Sequence, residues 1–339
     1  MKINFLNTVP KDIYPWQACA WERLWDIKKS ERLSHALLFV GIDGIGKLQF
    51  AKTFANAILC ASPTATGVPC EQCHACHMVK AGSHPDLMLV APEEIGKNIG
   101  VDKIREVIHA AVETTLKGGY RVIIIHPATA MNINAANALL KTLEEPTPNT
   151  LIILVSNQNM RLPATVISRC HKIIFSKPET AEAVAWLHER LADDKIEPHL
   201  LLKLADGAPL KALSWIENDL ISLRDDMFQG LHSLSEGKAD PLQLAAKWQE
   251  ADQMCVIDLL LSWLTDLLRY KMTQDPARLV NSDYRSEIIK VSVTLLHASL
   301  LGYIDQIQQT RADLLSSLNL NKQLLLEDLL IRWTHYVSR

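Results

Sequence analysis

The rhythm of apolar and polar positions changes once along this chain. From His35 to about Phe175, short unbroken aliphatic runs alternate with segments whose apolar residues recur every three or four positions. The runs His35–Val40, Asp86–Val90, Tyr120–Ile125, Thr150–Val155 and Lys172–Phe175 predict five strands. Leu48–Leu59, Val101–Thr114 and Asn134–Leu143 predict helices, the last one stopped by Glu145-Pro146. Near-continuous apolar strands separated by helices imply a parallel sheet covered on both faces. After Ser176-Lys177-Pro178-Glu179 the strand signal disappears. Thr180–Leu191 and His199–Ala205 predict helices, Asp206-Gly207-Ala208-Pro209 breaks the pattern, and helical spacing then runs to the end. Val256, Leu259, Leu260, Trp263, Leu264, Leu267 and Leu268 form one stripe, and Leu325, Leu326, Leu329, Leu330 and Trp333 another. Such stripes are the core positions of a helical bundle. The fold class is therefore α/β followed by all-α.

Between the first strand and the first helix lies Gly41-Ile42-Asp43-Gly44-Ile45-Gly46-Lys47-Leu48. Gly41, Gly44, Gly46 and Lys47 match a phosphate-binding loop, in which backbone N–H groups and a lysine hold phosphates. The position that should carry a Mg²⁺-binding hydroxyl is Leu48. The third strand should end in a metal-binding Asp and a water-activating Glu, and His126-Pro127 follows it instead. The loop keeps the shape of a nucleotide site but lacks its metal ligands and its base.

Cys60, Cys70, Cys73 and Cys76 follow a C-x9-C-x2-C-x2-C spacing, with Gly67-Val68-Pro69 supplying a turn before the last three. Two-residue gaps let thiolates converge on one tetrahedral ion, so a closed structural Zn²⁺ site is expected on an insertion at about 60–80. His74 and His77 are competing ligands, but four thiolates already complete the set. Cys19, Cys170 and Cys255 are isolated and are expected to be small buried hydrophobes.

Composition narrows the function classes. The 339 residues allow two or three domains. A net charge of −3 gives no general nucleic-acid-binding field, so any such contact must be local or shared with partners. Seven cysteines, three of them clustered, suit metal binding in a reducing compartment. Met1–Trp16 has no signal-peptide pattern, and the apolar stretch Val291–Ile304 is interrupted and too short to span a bilayer. A cytoplasmic protein without membrane spans is expected.

Taken together, these features resemble the AAA+ clamp-loader family, and within it the delta-prime subunits of bacterial DNA polymerase III. The resemblance covers essentially the whole chain. It rests on the four-cysteine insertion after a degenerate phosphate loop, His84-Pro85-Asp86, Ile99–Glu106 and the run Ala135-Ala136-Asn137-Ala138-Leu139-Leu140-Lys141-Thr142-Leu143-Glu144-Glu145-Pro146. Ser168-Arg169-Cys170 and Asn321-Lys322-Gln323-Leu324-Leu325 complete it. The resemblance implies a three-part arm: a RecA-like AAA+ domain at 1–177 with the zinc insertion, a helical lid at 178–218 and a helical collar at 219–339. It implies a heteropentameric ring with gamma/tau and delta subunits that opens the sliding clamp and places it on primer–template DNA.

By the same resemblance, this member of the ring does not hydrolyse ATP, and Arg169 reaches the ATP of a neighbouring subunit. The lid pattern Gly-Ser-x-Arg-x-Ala-Leu has Leu210 in place of its arginine, and Lys211 would point about 100° away around a helix. Lys47 leaves residual nucleotide binding open. Lys141, near the end of its helix, is either a cation facing DNA or a solvated lysine favoured by the helix dipole. Two other readings stand beside this one: an active NTPase with unusual metal ligands, and a zinc-ribbon nucleic-acid-binding protein. The segment Cys70–Lys80 carries one lysine, no arginine and no aromatic residue, which argues against the latter.

Overall fold

The computed structural model describes residues 12–94, 97–112, 115, 119–157, 162–191, 197–315 and 321–337. The predicted helix end at 113–114, and most of the stretch read for a signal peptide, lie outside them. By internal contacts the chain divides into two units, Met1–Trp186 with Gly207–Lys211, and Leu187–Asp206 with Ala212–Arg339.

The first unit is built on five strands: β1 (Ala36–Gly41), β2 (Leu87–Val90), β3 (Arg121–Ile125), β4 (Thr150–Asn157) and β5 (His171–Ile174). All pairings are parallel and the order is β2-β3-β4-β1-β5. Successive side chains on a strand point to opposite faces, and the two cores divide accordingly. Leu37, Phe39, Val122, Ile124, Ile153 and Val155 pack with helices α1 (Ala18–Lys29) and α2 (Lys47–Leu59) through Trp21, Leu24, Trp25, Phe50 and Phe54. Leu38, Val40, Ile123, Ile125, Ile152 and Leu154 pack with α4 (Val101–Val112) and α5 (Ile133–Glu144) through Ile104, Val107, Leu139 and Leu143. Two shorter helices, α3 (His74–Lys80) and α6 (Ala164–Ile167), follow α2 and β4.

Asp86, just before β2, forms a buried ion pair with Arg121 at the start of β3, 2.9 Å apart. His84 Nδ1 accepts the Asp86 N–H at 3.1 Å. His84-Pro85-Asp86 is therefore a brace between neighbouring strands. Asn132 caps α5 by accepting the Ala135 N–H at 2.8 Å, which fixes where that helix begins.

Helix α7 (Thr180–His188) begins in the first unit, whereas α8 (Pro198–Leu204) belongs wholly to the second. Helix α9 (Pro209–Glu217) precedes α10 (Leu220–Ser235), α11 (Pro241–Trp248), α12 (Gln253–Thr273), α13 (Arg285–Thr294), α14 (His297–Leu315) and α15 (Lys322–Val337). The stripe read from sequence on α12 is buried from Val256 to Leu267, as are Leu326, Leu329, Leu330 and Trp333 on α15. The apolar stretch Val291–Ile304 is divided between α13 and α14. No single helix among the described residues is long and apolar enough to cross a membrane.

An ionic network fastens the connector between α12 and α13. Asp266, fully buried on α12, accepts the backbone N–H groups of Val280 at 3.0 Å and Asn281 at 2.7 Å. Arg224 on α10 grips the Asp283 carboxylate with two bonds of 2.8 and 2.7 Å, and its guanidinium lies against the Trp263 and Tyr284 rings. A buried charge is tolerable when every hydrogen-bonding group around it is paired in this way.

One expectation fails. Cys19 is exposed. Helix α1 buries the face carrying Trp21, Leu24 and Trp25, and Cys19, two positions from Trp21, lies about 200° around the helix from it. Cys170 and Cys255 are half-buried rather than buried. Cys170 packs against the second sheet core, where burial pushes its thiol up to about 11.

Candidate functional site

In a parallel sheet the ligand crevice opens at the carboxyl ends of the strands, where the strand order reverses. Here that point is the end of β1, and the glycine loop occupies it. Gly44 and Gly46 adopt positive φ of 73° and 86°, which lets the loop wrap tightly into α2. At Gly41 a Cβ would collide with the Phe175 carbonyl oxygen.

The Lys47 ammonium and the carbonyls of Gly44 and Ile45 are bonded within the chain itself. Lys47 is 4% exposed. Its ammonium donates to the Ile42 carbonyl and to Asn157 Oδ1, the latter at 3.1 Å from the end of β4. Burial pulls its pKa below the usual lysine value, with Asp43 partly opposing. The Ile45 carbonyl accepts Trp16 Nε1–H at 3.0 Å and Gln17 Nε2–H at 2.8 Å. A Cβ on Gly46 would overlap the Tyr14 ring, and one on Gly44 would overlap Lys211. The Gly44 carbonyl accepts the Leu210 N–H at 3.0 Å, so residue 210 meets the loop through its backbone. Leu48 packs against the first sheet core. At the end of β3, burial lowers the His126 pKa below the usual imidazole value.

The four cysteines come together. Their Sγ atoms all lie within 4.8 Å of one another. Four thiolates around a tetrahedral zinc stand about 3.8 Å apart, given Zn–S bonds of about 2.3 Å. Cys60 caps the end of α2, and Cys73 caps the start of α3. The thiols also accept backbone N–H groups in sequence: Cys70 N–H to Cys60 at 3.3 Å, Cys73 N–H to Cys70 at 3.3 Å and Cys76 N–H to Cys73 at 3.4 Å. Such bonds favour thiolate over thiol. The bond from the Gln72 N–H, with other hydrogen bonds, draws Cys70 down to about 6, whereas burial pushes the Cys60 and Cys76 thiols up. The donor set, its closure and its hydrogen bonding fit a structural Zn²⁺ and leave no position for a catalytic water.

Helix α1 holds the loop that precedes the last three cysteines. Trp21 Nε1–H donates to the Thr66 carbonyl at 3.0 Å and Trp25 Nε1–H to the Ala65 carbonyl at 3.2 Å. Gly67, at φ 85°, lies so close to Trp25 that a Cβ would overlap the ring.

Arg169 stands elsewhere, two residues before the edge strand β5. Its Nε–H donates to Glu144 Oε1 at 2.6 Å, and Nη2 pairs with the same oxygen. Its Nη1 donates to the Thr165 carbonyl at 2.8 Å and to Ser168 Oγ at 3.4 Å. The side chain is nevertheless 32% exposed. Lys141, one turn before Glu144 on α5, is exposed. Sequence reasoning named the loop, the thiols and both cations as candidates, but not the contacting residues Trp16, Gln17, Asn157 and Glu144. Asn157 alone had a usable signal, as a polar residue two positions beyond the predicted strand Thr150–Val155, which the structure extends to Asn157.

Comparisons with known proteins decide the family. A profile described as "DNA polymerase III, delta subunit" matches residues 16–179, and one described as "DNA polymerase III, delta subunit, C terminal" matches 218–335. The chain is 37% identical to DNA polymerase III subunit delta' of Pseudomonas aeruginosa, over 95% of this chain and 97% of that one. It is 31% identical to the subunit of the same name from Escherichia coli, over 96% of each. The chain belongs to the DNA polymerase III subunit delta' family. A solved gamma subunit-related protein from Thermotoga maritima covers 94% of this chain and 99% of its own, at 18% identity and a TM-score of 0.43, too loose a likeness to add to the assignment. Within the chain, Lys47 and the Gly44 and Ile45 carbonyls of the glycine loop bond to residues of the same unit, and the arginine of Ser168-Arg169-Cys170 stands apart from that loop.

Proposed function

We propose that the chain is a non-hydrolysing member of a clamp-loader ring, serving the ATP site of a neighbouring subunit through Arg169. In this reading it assembles with gamma/tau and delta subunits in the cytoplasm, and the assembly places the sliding clamp on primer–template DNA. The arm comprises a RecA-like domain at 1–177, a lid at 178–218 and a collar at 219–339. Zn²⁺ on Cys60, Cys70, Cys73 and Cys76 is structural.

The observation that carries the proposal is the state of the loop. A lysine bonded to its own loop carbonyl and to Asn157 has two of its donors engaged within the chain. No hydroxyl at 48 and no carboxylate after β3 stand ready for Mg²⁺, or for activating the attacking water. An arginine supplied across an interface needs none of these, because it stabilises charge that develops in another subunit's transition state.

The test is ATP hydrolysis by the isolated chain. No turnover above background is expected, and Leu48→Thr alone is expected to leave it there, because the base and the metal carboxylate are missing as well. Robust Mg²⁺-dependent turnover by either protein would establish the active-NTPase reading instead.

A further inference from the structure

The guanidinium of Arg169 is not free to swing. We infer that Glu144 is a positioning residue, which holds Arg169 in the orientation it needs to reach a neighbour's nucleotide. The inference rests on the trans-acting reading of Arg169 and adds a second residue to it.

Glu144 is the last residue of α5, a helix whose start is fixed by the Asn132 cap and whose Leu139 and Leu143 are buried in the sheet core. The carboxylate is therefore carried by a rigid element. Arg169 follows α6, whose short turn supplies the Thr165 carbonyl. Glu144 Oε1 takes two donors, Nε and Nη2, along one edge of the guanidinium plane, while Thr165 and Ser168 take Nη1. Contacts to three nitrogens from two elements fix both the position of the plane and its rotation. An unheld arginine side chain otherwise loses rotamer entropy on reaching a phosphate. Holding it beforehand shifts that loss to folding, which is how supporting side chains preorganise a site.

The pair adds little to stability, since solvent screens a half-exposed ion pair. The Glu144 side chain is 48% exposed, so the bond is also open to competition by water. Geometry, rather than charge, is what the pairing supplies. Because one oxygen accepts both donors, glutamine at 144 can keep the contact, whereas aspartate, one methylene shorter, draws it back.

The experiment measures steady-state ATP hydrolysis by the complete reconstituted clamp loader, with Glu144→Ala, Glu144→Gln and Glu144→Asp, each alone and with Arg169→Ala. Expected is a loss of about tenfold in kcat for the Ala and Asp variants, with KM for ATP nearly unchanged, as for a misplaced transition-state group. The Gln variant is expected within about threefold of the unmutated complex. In the Arg169→Ala background all three substitutions add nothing, because there is no guanidinium left to orient. If Glu144→Ala prevents ring assembly, the contrast between Asp and Gln decides. Equal activity of the Asp and Gln variants, or the same loss with and without Arg169, would overturn the role of Glu144. If Arg169→Ala itself leaves turnover unchanged, the underlying reading fails instead, and the two failures are distinct.

Discussion

Lys47 and Arg169 are both cations of one α/β unit, and the chain treats them in opposite ways. Lys47, at the end of the glycine loop, is 4% exposed and donates to Ile42 and Asn157. The Arg169 side chain, beside the edge strand, is 32% exposed and anchored on one side by Glu144. Burial lowers the pKa of the first and engages its donors within the fold. The second keeps a permanent charge at the surface, in a fork whose orientation is set. In the proposed account this contrast is the physical content of a subunit that has given up its own site and serves another. Around the loop, Trp16 and Gln17 hold the Ile45 carbonyl, Leu210 holds that of Gly44, and the Tyr14 ring lies against Gly46.

The most severe way to sharpen the contrast is Arg169→Lys in the assembled complex. A point ammonium cannot span the positions of a planar fork, so turnover should fall by about 10²-fold or more. Near-normal turnover would show that charge alone suffices, and would remove the reason to distinguish the two cations by geometry.

Zinc offers a test at the other end of α2. Cys76→Ser, or stripping the metal with a chelator, should lower the unfolding midpoint by on the order of 10 °C, because metal binding is folding free energy in a closed thiolate site. Metal analysis should first find one zinc per chain in the unmutated protein. Well under one, with four reactive thiols in that segment, would mean that the cluster is not a zinc site.

Much of this was legible in the sequence, and the omissions have a common cause. The strands, the glycine loop and the four thiols are local signals, set by runs, turns and short spacings. Trp21 and Trp25 stand four apart, as on one helix face, but nothing local says that they hold the carbonyls of Ala65 and Thr66 some 40 residues later. Asn157 meets Lys47 across 110 positions. Arg224 and Asp266 are charged residues buried in a region read as an apolar bundle, the first held by the Asp283 carboxylate and the second by the backbone N–H groups of Val280 and Asn281. Polar partnerships between distant segments leave no periodicity behind them.

Lys141 carries the smallest expected effect. If it faces a phosphate, Lys141→Ala should reduce DNA-stimulated hydrolysis by the complex about twofold and lessen the salt slope of DNA binding by about one. No change in either quantity returns it to a solvated lysine at a helix C-terminus.

The measurement that bears most directly on the central claim compares two complete rings, one carrying Lys47→Met and the other Arg169→Ala in this chain. Both must first be shown to assemble. ATP turnover and clamp loading are then measured side by side. The account predicts that the Lys47 variant works within about twofold of the unmutated ring while the Arg169 variant falls by about 10³-fold. A ring that survives loss of Arg169 but stops on loss of Lys47 would contradict it.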